Sequence, residues 1–156
     1  MSHIALRCTS CGATHPADMA TLSCKDCSSP LEVEYLVAPQ GESTLPSRGQ
    51  GAPAVPLPLH NSVSAITLGE GDTPCIQLST VGRLLGLRQL YAKLEFLNPT
   101  GSFKDRGTAV MVSVAREHGV TELVEDSSGN AGASVAAYAA AAGIKAHIFA
   151  PSTAPQ

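Results

Sequence analysis

The chain has no tryptophan, few aromatic side chains and little charge: 4% of its 156 residues are aromatic and 15% are charged. With a formal net charge of -3 there is no basic excess to hold nucleic acid or an anionic membrane, and neither is expected as a partner. Long apolar runs are missing too. The Ala-rich stretch from Ala131 to Ala142 is too short and too weakly hydrophobic to span a bilayer. No signal-peptide pattern opens the chain, so the expected compartment is the cytoplasm. There, five cysteines are expected as thiols or metal ligands rather than as disulfides. What remains is a globular composition, 44% hydrophobic, long enough for one domain or for a small module plus an incomplete larger one.

The cysteines are not scattered. Cys8 and Cys11 form one C-x2-C pair and Cys24 and Cys27 a second, with twelve residues between the pairs. Zinc takes four soft ligands at tetrahedral corners, and each C-x2-C turn supplies two thiolates from one tight knuckle. Gly12 after Cys11 and the Ser-Ser-Pro after Cys27 suit such turns. His3 and His15 lie nearby, but four cysteines complete a site with no open position, so a structural zinc is expected. A module of this size, residues 1–36, is too small for a hydrophobic core of its own, which is why a metal is expected to hold it. The alternatives are four ordinary thiols, or a redox pair without the strand-and-helix context such a pair needs.

Residues 37–64 read as a linker or arm, with prolines at Pro39, Pro46, Pro53, Pro56 and Pro58 that leave little regular structure. His60 within it is expected to be solvated. Beyond it, LGEGDTPCIQL spans Leu68 to Leu78, and Cys75 is expected as a small buried apolar group rather than a catalytic thiol. A short helix is expected over Ser79 to Leu87 with Leu84 and Leu85 inward, then a strand over Gln89 to Leu94.

That strand feeds KLEFLNPTGSFKDRG, Lys93 to Gly107, with Lys104 where a loop gives way to a helix. Asn98, Pro99 and Gly101 punctuate the loop and Ser102 is a good N-cap. The helix is expected to turn Val110, Met111, Val114 and Ala115 to one face and to stop near Gly119. The positive field at a helix start disfavours an ammonium and suits Lys104 to attack an aldehyde. The plain alternative is a surface lysine paired with Asp105 or Glu95. A strand over Thr121 to Asp126 then delivers SSGN, Ser127 to Asn130, to the start of a second helix that closes at Gly143. A further strand covers Lys145 to Ala150. Backbone amides at that helix start face any arriving anion, although a capped helix with no ligand would look the same. Strand, helix, strand, helix, strand implies an α/β fold with parallel pairing, and ligands bind beyond the carboxyl ends of such strands, where Lys104 and SSGN both fall.

NPTGSFKDRG and DSSGNAGAS, in that order and at this separation, resemble the fold type II pyridoxal-phosphate enzymes, with the nearest likeness to threonine synthase and its relatives. The resemblance covers about Leu68 to Pro151, includes the LGEGDTP turn, and extends less specifically to the zinc ribbon. It implies a three-layer αβα parallel sheet, of which residues 65–156 are the first part. It implies pyridoxal 5'-phosphate held by Lys104, with Phe103 beside it and the Asn130 side chain toward the cofactor's 3-hydroxyl. Ser127, Ser128, Gly129, Asn130 and Ala131 would take the α-carboxylate of a small amino-acid substrate. The implied reaction is that of a carbon-oxygen lyase acting on phosphates: O-phosphohomoserine and water give threonine and phosphate. A serine/threonine dehydratase, a cysteate synthase or a diaminopropionate lyase would use the same lysine. From a different class, a non-catalytic zinc-ribbon binding protein on half such a fold is the rival reading. The family's phosphate loop and pyridine-nitrogen partner lie further along in relatives, so the chain is expected to be an N-terminal fragment. Relatives are often dimers, which leaves a homodimer open.

Overall fold

A computed structural model of the chain describes residues 4–36, 57–59 and 65–154. His3, His60 and the arm prolines other than Pro58 lie outside the described residues.

The N-terminal module is a three-stranded antiparallel sheet. Strand β1 (Ile4–Cys8) is central, with β2 (Thr14–His15) on one side and β3 (Leu31–Tyr35) on the other. Register pairs Leu6 with His15 across β1·β2 and Cys8 with Leu31 across β1·β3. Each C-x2-C segment closes in the same way. Gly12 N–H donates to Cys8 O at 3.1 Å, and Ser28 N–H donates to Cys24 O at 2.8 Å. One step further, Cys8 N–H donates to Ala13 O and Cys24 N–H to Ser29 O. Both closing residues are left-handed, Gly12 at φ 76° and Ser28 at φ 59°; the serine accepts a conformation that its Cβ makes uncommon. The two knuckles are therefore copies of one turn.

In the body, β4 (Cys75–Gln77) pairs antiparallel with β5 (Tyr91–Lys93), and the short helix α1 (Ser79–Leu84) lies between them. Two expectations fail here. Leu84 and Leu85 are exposed, 82% and 64%, because the face that packs is that of Gly82, where an added Cβ would lie 2.8 Å from Leu87 O. Cys75 is exposed, not buried, since β4 is a two-stranded edge opposite Lys93 with no layer over it among the described residues.

A 3-10 turn, Glu95–Leu97, leads into the lysine loop and then α2 (Lys104–Glu117). The buried residues of α2 are Asp105, Thr108, Ala109, Val112, Ser113 and Ala115. Met111 is exposed and Val110 and Val114 are half-buried, so the inward face is rotated from the one expected. Small and polar side chains occupy it because α2 lies close against α3 (Asn130–Ala142). Strands β6 (Glu122–Asp126) and β7 (Lys145–Phe149) pair in parallel, joined by α3, which Gly143 ends at φ 71°. Gly132 allows α3 to approach the strands; a Cβ there would meet Ile148 Cγ2 at 2.9 Å. Ile66, Ala109, Val112, Ala115, Tyr138, Ala139 and Ile144 form the core.

The expected parallel pairing thus holds for β6·β7, while β5 pairs antiparallel with β4. The described strands form sheets of three, two and two strands in a mixed α/β chain, not one continuous sheet. Among the described residues no helix is long and apolar enough to cross a membrane.

Candidate cofactor and metal sites

The lysine loop is fixed before its helix begins. Asn98 is buried; its Oδ1 accepts from Gly71 N–H at 3.0 Å, and its Nδ2 donates to Glu95 O and Glu95 Oε2 at 2.9 and 3.0 Å. Gly101, at φ 82°, turns the chain and donates to Asn98 O at 2.8 Å. Ser102 does the capping work expected of it: its Oγ accepts the Lys104 N–H at 3.2 Å, although the formal cap residue is Phe103.

Two acidic side chains then lock the first turn of α2. Arg106 grips Glu95 through two bonds of 2.7 Å, from Nε to Oε2 and from Nη2 to Oε1, and its Nη2 also reaches Gly71 O and Thr73 Oγ1. That guanidinium holds the Glu95 carboxyl down at about 2. Gly71, at φ 101°, leaves the guanidinium room, since a Cβ there would stand 3.3 Å from Arg106 Nη1. Asp105 is fully buried and accepts from Thr100 N–H at 2.7 Å, from the Thr100 hydroxyl, and from Ser134 Oγ at 2.7 Å. Neither carboxylate is engaged with Lys104, which makes no ion pair among the described residues. Its Nζ lies 5.0 Å from the centroid of the Phe103 ring, and both side chains are exposed.

The second motif sits where β6 ends. Ser127 N–H donates to Phe149 O at 3.0 Å, carrying the strand pairing one step into the loop, and Gly129 N–H donates to Ser127 Oγ at 3.3 Å. No side chain caps α3 at Gly129, so the amides of its first turn are open to an anion. Ser128, Gly129 and Asn130 are exposed, Ser127 and Ala131 half-buried. Asp105 lies in the first turn of α2 and Ser134 in the second turn of α3. Their bond sets both helix starts at one end of the packed pair, with Lys104 and SSGN together. An accessible amine and uncapped amides at the same end of the helix pair suit an aldehyde-bearing anion.

Behind these loops, Tyr138 is fully buried and donates to Glu70 Oε2 at 2.7 Å, and burial followed by that carboxylate raises its phenol well above the usual range. Glu70 Oε2 also accepts from Leu68 N–H and Thr67 Oγ1, whereas its buried Oε1 has no partner among the described residues.

In the N-terminal module the sulfurs of Cys8, Cys11, Cys24 and Cys27 all lie within 4.8 Å of one another. Cys8 Sγ accepts N–H bonds from Ser10 and Cys11, each at 3.4 Å, and these amides, Cys11's foremost, bring its thiol down to about 6. For Cys11 the Ala13 N–H acts to lower the thiol, yet the neighbouring Cys8, Cys24 and Cys27 together push it up to about 12. Four thiolates cannot share so small a volume without a cation, so the donor set fits a tetrahedral soft metal.

A family model described as "Pyridoxal-phosphate dependent enzyme" matches residues 66–156. The chain belongs to this family. Among curated relatives, a threonine synthase of Methanocaldococcus jannaschii is 37% identical over 151 residues, covering 93% of this chain and 37% of that protein. One of Methanosarcina acetivorans is 34% identical, covering 94% and 36%. One of Bacillus sp. is 46% identical over 95 residues, covering 61% and 27%. The chain therefore spans little more than a third of the length of the archaeal relatives. Coverage of 93% necessarily takes in most of the cysteine module as well.

The residues that sequence reasoning missed are those that hold others in place: Asp105, Ser134, Thr100, Asn98 and the Glu95–Arg106 pair. Asp105 and Glu95 were visible only as neighbours of Lys104. An acidic residue in the first turn of the helix, between Lys104 and Arg106, was the available signal for Asp105.

Proposed function

We propose that the chain is the N-terminal part of a pyridoxal-phosphate dependent threonine synthase. Residues 1–36 would form a zinc ribbon, 37–64 an arm, and 65–156 the beginning of the catalytic domain, with β6·β7 the start of a larger parallel sheet. The substrate would be a small amino acid, O-phosphohomoserine, losing phosphate from Cγ and gaining water at Cβ to give threonine. Bound pyridoxal phosphate would supply an aldehyde for the lysine and an electron sink that makes the substrate's carbon-bound protons removable.

The observation that carries the proposal is the joint placement of Lys104 and the SSGN loop through the Asp105–Ser134 bond. Lys104 would hold the cofactor through its aldehyde and, when free, would be the base that moves protons between substrate carbons. Ser127, Ser128 and the first-turn amides of Gly129, Asn130 and Ala131 receive the α-carboxylate at the positive helix end. Asn130 would offer its carboxamide to the cofactor's 3-hydroxyl and so orient the ring, and Phe103 would wall one side of the lysine. The relatives' printed names favour threonine synthase over the other lysine chemistries. Cys8, Cys11, Cys24 and Cys27 would hold zinc in a closed structural role; the mutual approach of the four sulfurs supports this.

The test is the visible absorption of the chain after pyridoxal phosphate is added and the excess removed, with Lys104→Ala beside it. Borohydride trapping and peptide mapping then locate the adduct. One equivalent at Lys104, lost in the variant, is expected. Labelling spread over several lysines and equal in the variant would overturn the cofactor assignment for this chain.

A further inference from the structure

The four sulfurs of the cysteine module are not equally provided with hydrogen-bond donors. Cys8 has the amides of Ser10 and Cys11, and Cys27 has the hydroxyl and amide of Ser29, which lower its thiol. Cys24 is the deepest of the four, 1% exposed, where water reaches its sulfur least. A charged sulfur at such depth is costly without a donor. Facing it is His15, itself 8% exposed, with Nε2 3.3 Å from Cys24 Sγ. His15 is brought there by β2, whose register sets it opposite Leu6 on β1, the strand that ends in Cys8.

We propose that His15 donates an Nε2–H hydrogen bond to the Cys24 thiolate and serves the metal centre as a positioning partner, not as a ligand. The inference rests on the metal reading of the four cysteines. The geometry separates the two roles. His15, Cys24 and Asp26 offer donor atoms within 4.8 Å of one another, but that group does not take in Cys8, Cys11 or Cys27. The imidazole therefore stands on the outer side of Cys24, away from the centre of the four sulfurs. A thiolate can only accept, so the shared proton belongs to Nε2, which fixes the tautomer as long as the ring is neutral. The bond draws charge from the deepest of the four thiolates and holds its side chain at a single rotamer, as outer partners of metal ligands do elsewhere.

The experiment uses the whole chain loaded with zinc, with cobalt(II) and with NMR-active cadmium, and compares it with His15→Ala and His15→Gln. Four-thiolate cobalt spectra are expected for all three. Zinc affinity, measured against a competing chelator, should fall about 10–100-fold in His15→Ala and recover in part in His15→Gln, which keeps an N–H. In the unsubstituted cadmium form, a scalar coupling from the metal to the His15 Nε2 proton across the sulfur is expected. It decides the matter even if a variant fails to fold. A nitrogen ligand in the cobalt spectrum that disappears in His15→Ala would overturn the proposal. So would the absence of that coupling, whatever the affinity of the variants. If the unsubstituted chain gives no sulfur-to-cobalt band at all, the metal reading itself fails, an outcome distinct from both.

Discussion

In residues 4–36 the deepest side chains are two cysteines, Cys24 and Cys8, while Leu22, Leu36, Met19 and Val33 stand in solvent. In residues 65–154 the deepest are Tyr138, Val112, Asp105, Ser113 and Ser134, on two helices that face each other. The first region is short of apolar burial and gathers sulfur instead. The second has a small core of alanine, valine, two isoleucines and one tyrosine, crossed by hydrogen bonds in which Asp105 accepts from Ser134, Ser113 accepts from Ile66 N–H and Tyr138 donates to Glu70. One region therefore gathers four sulfurs suited to a cation, the other relies on polar pairing inside a close helix contact.

If the four sulfurs hold a metal, removing it is the largest perturbation of that contrast. A chelator, or Cys24→Ser, should abolish protection of the β1–β3 amides in hydrogen exchange while α2 and α3 keep theirs. Loss of protection in both regions would show that the body leans on the module. Next is the polar pairing of the body. Asp105→Ala leaves the Ser134 hydroxyl and the Thr100 amide without their acceptor, at about 1–3 kcal/mol for each donor buried unpaired. A lowered melting temperature for the helices, with metal affinity unchanged, is expected; an unshifted melting curve would remove Asp105 from its role as link. The close contact itself is probed by Gly132→Ala. Its Cβ would meet Ile148 Cγ2 at 2.9 Å and Ser127 O at 3.3 Å. Overpacking of this kind costs about 1–3 kcal/mol, and equilibrium denaturation should report it.

The smallest effect concerns acid. Glu95 has its folded carboxyl lowered to about 2 by Arg106, from 4.5. A depressed carboxylate contributes stability that is fully present above the unfolded value and is lost as pH falls toward the folded one. Stability of the body should therefore decline between about pH 4.5 and 2, and Glu95→Gln should flatten that limb. The pair is partly solvent-exposed, so high salt should shrink the difference. An acid limb unaltered in the variant would assign the decline to other carboxylates.

The cysteine spacing, the lysine at a helix start and the SSGN loop after a strand could each be read from order and residue type, because each depends on local chain geometry. Cys8, Cys11, Cys24 and Cys27 converge as their spacing predicts, and Gly12 and Ser28 turn the two knuckles. The lysine helix begins at Lys104 and the second helix at Asn130, close to where Ser102 and SSGN placed them. Of the expected face of α2, Ala115 is buried while Val110, Met111 and Val114 are not. Hydrophobicity pointed to Met111 and Val114, whereas the close approach of α3 selects Thr108, Ala109, Val112 and Ser113. Leu84, Leu85 and Cys75 were expected inside on apolar character alone, but what lies over a side chain is decided by distant segments.

By itself, then, the sequence determined where turns, helix starts and metal knuckles fall, since φ preferences, capping and ligand chemistry act over a few residues. Only the tertiary structure decided that Asp105 would bind Ser134, that Arg106 would take Glu95, and that His15 would face Cys24. Those pairs are separated by 29, 11 and 9 residues, and a hydrogen bond forms only where packing brings donor and acceptor within about 3 Å.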